Sequence, residues 1–151
     1  MNKDQKRCRV YLGADHNGFA IKEYIQDYLE AKGYKVEDLG SVKLNPRDDY
    51  PDYAKAVAKK VQKSPDALGI LFCGSGQGMC ITANKFKGVR AALVWSAGVA
   101  KKSRHDDDSN IICLPAWTLN REQTRHIVNS WLATEFSKAS RYKRRIRKID
   151  K

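Results

Sequence analysis

The chain has 151 residues, and its 29 Lys and Arg against 17 Asp and Glu give a formal net charge of +12 at pH 7. Such a length suits one domain over residues 1–151 with a real core, and a 42% share of hydrophobic residues fits a globular protein. No apolar run approaches a membrane span, and no apolar segment follows the charged start Met1–Arg7, so neither a membrane anchor nor a secretory signal is read.

Elements alternate along the chain. Cys8–Leu12 reads as a first strand. Gly18 to Lys32 reads as a helix with Ile21, Ile25 and Leu29 on one stripe, ended by Gly33. Lys35–Leu39 is a second strand, and Gly40 to Asp49 is a polar loop. Pro51 suits the first turn of a helix that buries Tyr53, Ala54, Val57, Ala58 and Val61. Leu68–Phe72 is a third strand, followed by a glycine-rich turn and a helix to about Lys85. Val89–Trp95 and Asn110–Leu114 read as strands four and five, with a short helix over Ala97–Ser103 between them. Arg121–Phe136 forms an amphipathic helix, and the tail continues as a separate one. This alternation implies an α/β fold: a single three-layer, Rossmann-like domain with a five-stranded, mostly parallel sheet and helices on both faces. Ligands bind such sheets beyond the carboxyl ends of the strands, where the winding changes direction. The glycine-bearing loops after strands one and three would flank that crevice.

The loop after strand three, Cys73-Gly74-Ser75-Gly76-Gln77-Gly78, has glycines at alternate positions. They let backbone N–H groups approach a ligand, and the helix that follows adds its positive end. A cysteine at the mouth of this turn is expected to favour thiolate and to serve as base or nucleophile. A tight α/β corner beside a small buried cysteine is the plainer reading of the same residues. The loop after strand one, Gly13-Ala14-Asp15-His16-Asn17-Gly18, sets a carboxylate beside an imidazole. The pair can move protons on hydroxyl groups or donate to a phosphate; alternatively, Asp15 or Asn17 simply caps the next helix.

Cys8, Cys73, Cys80 and Cys113 are too widely spaced for a disulfide framework or a zinc site, and reduced thiols in a cytoplasmic protein are expected. No metal or cofactor is expected. From Lys138 to Lys151 eight basic residues face only Asp150, so this tail of about 138–151 holds seven of the twelve net charges. It can be a solvated helix, a source of phosphate-binding arginines or a surface for a polyanion. With no aromatic-interleaved motif or zinc finger, nucleic acid is the weaker partner.

Taken together, Gly13–Gly18, Asp49-Tyr50-Pro51, Cys73–Gly78, Ala83-Asn84-Lys85 and Gly88-Val89-Arg90-Ala91-Ala92 identify a family. The chain resembles the B-type ribose-5-phosphate isomerases, whose relatives include galactose-6-phosphate isomerase subunits, from about Arg9 to Ile146. The resemblance implies an aldose–ketose isomerase that works through an enediolate, with ribose 5-phosphate and ribulose 5-phosphate as the expected pair. It implies that Cys73 moves the proton between C1 and C2, with Ser75 beside it. Gly74, Ser75, Gly76, Gln77 and Gly78 would cradle the enediolate oxygens. Asp15 and His16 would hold the sugar, Asp15 assisting ring opening, and Tyr50 would line the same site. Arg141 and Arg145, one turn apart, match a pair that grips the phosphate. The resemblance also implies a homodimer whose second subunit completes the site, with a tetramer left open.

Three departures stand out. Where the family has Ser-Arg-x-His-Asn, this chain has Ser103-Arg104-His105-Asp106-Asp107. Asp106 therefore stands in the place of the ring-opening histidine, and Asp107 in that of a substrate-binding asparagine. Trp117 replaces an arginine often found after strand five. These changes leave open another pentose or hexose phosphate as substrate. A reading from a different class, a polyanion- or RNA-binding module using the basic tail, also stands at this point.

Overall fold

A computed structural model describes residues 8–150; Met1–Arg7 and Lys151 lie outside the described residues. Five strands form one sheet: β1 (Arg9–Ala14), β2 (Lys35–Asp38), β3 (Leu68–Cys73), β4 (Ala91–Leu93) and β5 (Ile111–Pro115). Their order is β2-β1-β3-β5-β4, and every pairing is parallel. Six helices connect or flank them: α1 (Phe19–Ala31), α2 (Tyr50–Lys63), α3 (Gln77–Ala83), α4 (Ala97–Asp107), α5 (Arg121–Leu132) and α6 (Ser140–Ile149).

Alternation along the central strands divides the core into two layers. Val10, Leu12 and Ala14 of β1, Ile70 and Phe72 of β3, and Ile112 and Leu114 of β5 face α1, α4 and α5. Tyr11, Leu71, Cys73, Ile111 and Cys113 face α2 and α3. Trp131 of α5 is fully buried and donates its indole N–H to Ser109 Oγ at 2.9 Å, so the largest core side chain carries no unmet donor. From β1 the chain winds outward to β2 on one side and to β3 on the other. The carboxyl ends of β1 and β3 therefore bound the crevice where the winding reverses.

Element ends differ from the sequence reading in several places. The third helix stops at Ala83, making α3 only seven residues long, because Asn84 turns back with its side chain bonded to Ala91 N and O. α4 runs on to Asp107 and ends where Asp108 adopts φ 48°. Its start is capped by Ser96 Oγ, which accepts from Val99 N. α5 ends at Leu132 rather than Phe136, and β4 shortens to three residues. The tail does form a separate helix, α6.

The link between β2 and α2 is tied down by Lys22 of α1. This lysine is fully buried, yet its ammonium is held by Asp38 and Glu23 and donates to the Ser41 carbonyl at 3.1 Å. A buried ammonium is tolerated only with such partners, and they pin the start of the loop that leads to the crevice.

Candidate active site

The glycine loop begins at Cys73, the last residue of β3, which is 4% exposed. Gly76 takes the left-handed conformation, φ 75°, that caps α3. This turn directs the Gly76 N–H to Cys73 Sγ at 3.1 Å. Burial pushes the Cys73 thiol up from its ordinary value, while the backbone N–H groups of Met79, Gly76 and Ser75 pull it down and Asp15 raises it again. The net direction is upward, which corrects the expectation of a resting thiolate. A seven-residue helix and three N–H groups do not offset the desolvation of this site. The cradle is also partly self-satisfied: Gly76 N serves the thiol, and Gln77 N donates to Ser75 Oγ at 3.4 Å.

Aromatic rings rest on two loop glycines. A Cβ at Gly78 would lie 2.5 Å from the Tyr50 ring, so the glycine is what lets Tyr50 lie over the start of α3. A Cβ at Gly74 would lie 2.3 Å from the Trp117 indole. Trp117 is bound to this loop through its N–H to the Gly74 carbonyl at 3.0 Å, and its indole N–H donates to Asn17 Oδ1 at 3.3 Å. The exposed indole thus bridges the loops after β1 and β3.

The loop after β1 packs directly on the end of β3, with Asp15 N donating to the Phe72 carbonyl at 3.3 Å. Asp15 is buried, and its Oδ1 accepts from Asn17 N at 3.0 Å and Gly18 N at 3.2 Å. The carboxylate therefore closes the turn that leads into α1, but the N-cap is Gly18 with no side-chain cap, so neither Asp15 nor Asn17 caps the helix as the plainer reading expects. The carboxylate also puts a negative charge close enough to Cys73 to influence the thiol. His16 is held by Asp48, whose Oδ1 accepts from the His16 backbone N–H at 3.0 Å and lies 2.7 Å from Nδ1.

A second cluster forms between α4 and α6. Asp106 lies 2.6 Å from His105 Nδ1 and 3.5 Å from Lys102 Nζ. The His105 hydrogen bond holds the Asp106 carboxyl below its usual range, helped by Tyr142 and Lys102. Arg141 Cζ stands 4.5 Å from the centre of the Tyr142 ring, and Arg145 Cζ 5.9 Å. One ring thus orders both guanidiniums on one face of α6. Asp107 is exposed and lines a cavity of about 370 Å³ with Arg90 and Ile149.

The other cysteines have different surroundings. Cys80 donates to the Ala91 carbonyl at 3.2 Å, and a hydrogen bond from Cys113 draws its thiol down to about 7. Complete burial drives Cys113 far up. All four cysteines are free thiols. Among the described residues no group of three or more His, Cys, Asp or Glu is arranged to hold a metal ion. A cavity of about 390 Å³ lined by Cys8, Leu68, Arg104 and Asp108 sits at the amino ends of the strands, the end of the sheet away from the crevice.

The family described as Ribose/Galactose Isomerase matches residues 10–149. The chain belongs to this family. A probable ribose-5-phosphate isomerase B of Mycoplasma pneumoniae is 41% identical over 140 residues, covering 93% of this chain and 91% of the relative. The ribose-5-phosphate isomerase B of Mycobacterium tuberculosis H37Rv is 38% identical, covering 91% and 85%. The crystal structure of the Mycoplasma genitalium ribose-5-phosphate isomerase B, with ribulose 5-phosphate bound, superposes with a TM-score of 0.91 at 41% identity, covering 94% of this chain and 93% of that one.

Of the residues singled out from the sequence, Asp15, His16, Tyr50, Cys73, Gly74, Ser75, Gly76, Gln77 and Gly78 surround the β1–β3 crevice of this Ribose/Galactose Isomerase family member. Asp106, Arg141 and Arg145 gather instead at the α4–α6 corner. Asp48 and Tyr142 were not singled out, although each holds a residue that was, and Asn17, considered only as a helix cap, instead accepts from Trp117. Asp48 sits in an irregular polar loop, where no spacing rule links it to His16. Tyr142 could have been found by its i−1 and i+3 relation to the two arginines.

Proposed function

We propose that this chain interconverts ribose 5-phosphate and ribulose 5-phosphate as an aldose–ketose isomerase. The observation that carries the reading is the pairing of a buried Cys73 with backbone donors at the topological switch point, in a chain similar throughout to an isomerase solved with ribulose 5-phosphate. Cys73, as thiolate, takes the proton from the carbon beside the carbonyl and returns it to the neighbouring carbon. Sulfur thereby alternates between thiolate and thiol, and it ends the cycle as the thiolate in which it began. Substrate binding displaces water and brings its oxygens to the Gly74 and Ser75 region, where backbone N–H groups and the Ser75 hydroxyl stabilise the enediolate. Asp15 and Tyr50 contact the sugar hydroxyls, and Asp15 accepts a proton as the ring opens.

Arg141 and Arg145 bind the phosphate, with His16 at the other loop. Because their cluster forms at α4–α6, we infer a homodimer in which each subunit lends these arginines, Asp106 and Asp107 to the partner's crevice. Asp106, kept ionised by His105, can accept a hydroxyl proton during ring opening. The four free thiols suit a reducing compartment, and a cytoplasmic setting follows for the proposal. No helix among the described residues is long and apolar enough to cross a membrane. Trp117 on Gly74 supports a second reading within the same chemistry, in which another pentose or a hexose phosphate is the better substrate. Incubation with ribose 5-phosphate, allose 6-phosphate and galactose 6-phosphate, following ketose formation, tests both. Ketose from ribose 5-phosphate is expected, and none from any of the three would reject the isomerase.

A further inference from the structure

We propose that Asp48 is a positioning residue that couples the charge of His16 to capture of the substrate's anionic group. The proposal rests on the isomerase reading above and assigns a further residue to its binding site. Asp48 comes from the loop between β2 and α2, 32 positions from His16, yet one carboxylate oxygen takes both the His16 backbone N–H and the ring nitrogen Nδ1. The Asp48 side chain is 5% exposed, whereas the His16 side chain is 33% exposed, so the pair has a dry anchor and an accessible ring. Two bonds to one residue fix both the loop backbone and the direction of the imidazole.

The consequence lies at the opposite nitrogen. With Nδ1–H committed to a carboxylate, Nε2 carries a proton only when the ring is an imidazolium. Nε2 can then donate to an anion only in the charged form. The Asp48 hydrogen bond also raises the His16 pKa, and the Asp15 and Asp48 charges add to the rise. The groups acting on this ring are Asp15 on its own loop and Asp48 from the β2–α2 loop, and Asp48 in turn interacts with Tyr53 of α2, whose phenol is held up by burial and by Asp48 and Asp52. Each nearby carboxylate stabilises the imidazolium, and a raised pKa extends its population to higher pH. The anchor is itself restrained: Asp48 N donates to the Asn45 carbonyl at 3.2 Å, and Lys22 pins the loop start through the Ser41 carbonyl. Tyr50, two residues on, rests on Gly78, so the same segment reaches both sides of the crevice.

The test compares Asp48→Asn with Asp48→Ala. Asparagine keeps an oxygen for the backbone N–H and for Nδ1–H but removes the charge, while alanine removes both. NMR titration of the three histidines, His16, His105 and His126, in the sugar-free protein is assigned with His16→Asn. The His16 midpoint is expected to fall in Asp48→Asn, and inorganic phosphate is expected to raise it more in wild type than in the variant. With ribose 5-phosphate above neutral pH, KM should rise about tenfold in Asp48→Asn with kcat within about threefold, the scale of one charge-assisted hydrogen bond. That gap should close as pH falls through the ordinary histidine value of about 6.5, where the ring charges unaided. The substrate phosphate titrates alike in both proteins and cancels from the comparison. Unchanged His16 titration in both variants, or a KM penalty that is the same at every pH, would overturn the proposal. If wild type makes no ketose but His16 still responds to Asp48 and to phosphate, the positioning role stands and the isomerase reading falls.

Discussion

The crevice between β1 and β3 and the corner between α4 and α6 are built on opposite principles. In the crevice, the proposed reacting group is buried and its neighbours are mostly backbone: Cys73 receives Gly76 N–H, and Asp15 Oδ1 accepts from Asn17 N and Gly18 N. At the corner the groups are side chains on helix surfaces, with Arg141 and Arg145 exposed, both over the Tyr142 ring, and Arg141 donating to the Tyr142 hydroxyl at 3.0 Å. A buried thiol held by a tight turn can be aimed at a particular carbon. Exposed guanidiniums on a helix hold a small anion more firmly when a second surface excludes water from them. Under the proposed function the two regions are complementary halves, one for proton transfer and one for anchoring, and substitutions in them should fail in different ways.

The largest effect is expected from Cys73→Ser. The hydroxyl ionises far less readily than the thiol, so turnover should drop by at least about two orders of magnitude, the scale of a lost general base, with KM largely kept. Cys80→Ser is the control. Cys80 bonds Ala91 and Cys113 rather than the crevice, so this change should lower the thermal midpoint more than kcat. Equal losses from both substitutions would erase the distinction between a reacting thiol and a packing thiol.

Arg141→Ala should act in the other manner. Loss of a charge-assisted contact made in both ground and transition states raises KM by about tenfold to a hundredfold, with a smaller change in kcat. A kcat-only loss would move Arg141 from the anchoring half to the reacting half.

A third expectation concerns pH. Because burial raises the Cys73 pKa, the thiol form dominates at neutrality and the thiolate grows as pH rises. For the free enzyme, kcat/KM should keep climbing through pH 8–9, where a resting thiolate would already have levelled off. A plateau by pH 7 would mean that the loop N–H groups outweigh desolvation after all.

Much of this contrast is legible in the chain. The short apolar runs that become β1, β3 and β5, alternating with helical segments, and the two glycine loops locate the crevice from the sequence alone, because parallel topology dictates where such loops converge. The i, i+4 spacing of Arg141 and Arg145 does the same for one face of α6. What escapes the sequence is the balance of competing terms. Lys22 reads as a helix-surface residue but is fully buried with Asp38, since only the fold brings that carboxylate within reach. Asp48 is one acid among several in a loop, and nothing local ties it to His16. The sign of the Cys73 shift is hidden too, because it depends on how completely α2 and α3 dry that end of β3.

The proposed sharing of the site between subunits is tested most directly by mixing two impaired proteins, Cys73→Ser and Arg141→Ala, under conditions that let subunits exchange. If each crevice uses its partner's arginine, a mixed dimer holds one site with both residues intact and one with both lost. Assayed with ribose 5-phosphate well below the wild-type KM, where both separate variants are weak, random pairing then restores about a quarter of the wild-type activity. Activity that stays at the average of the two separate variants would contradict the account, because Arg141 would then be serving the Cys73 of its own chain.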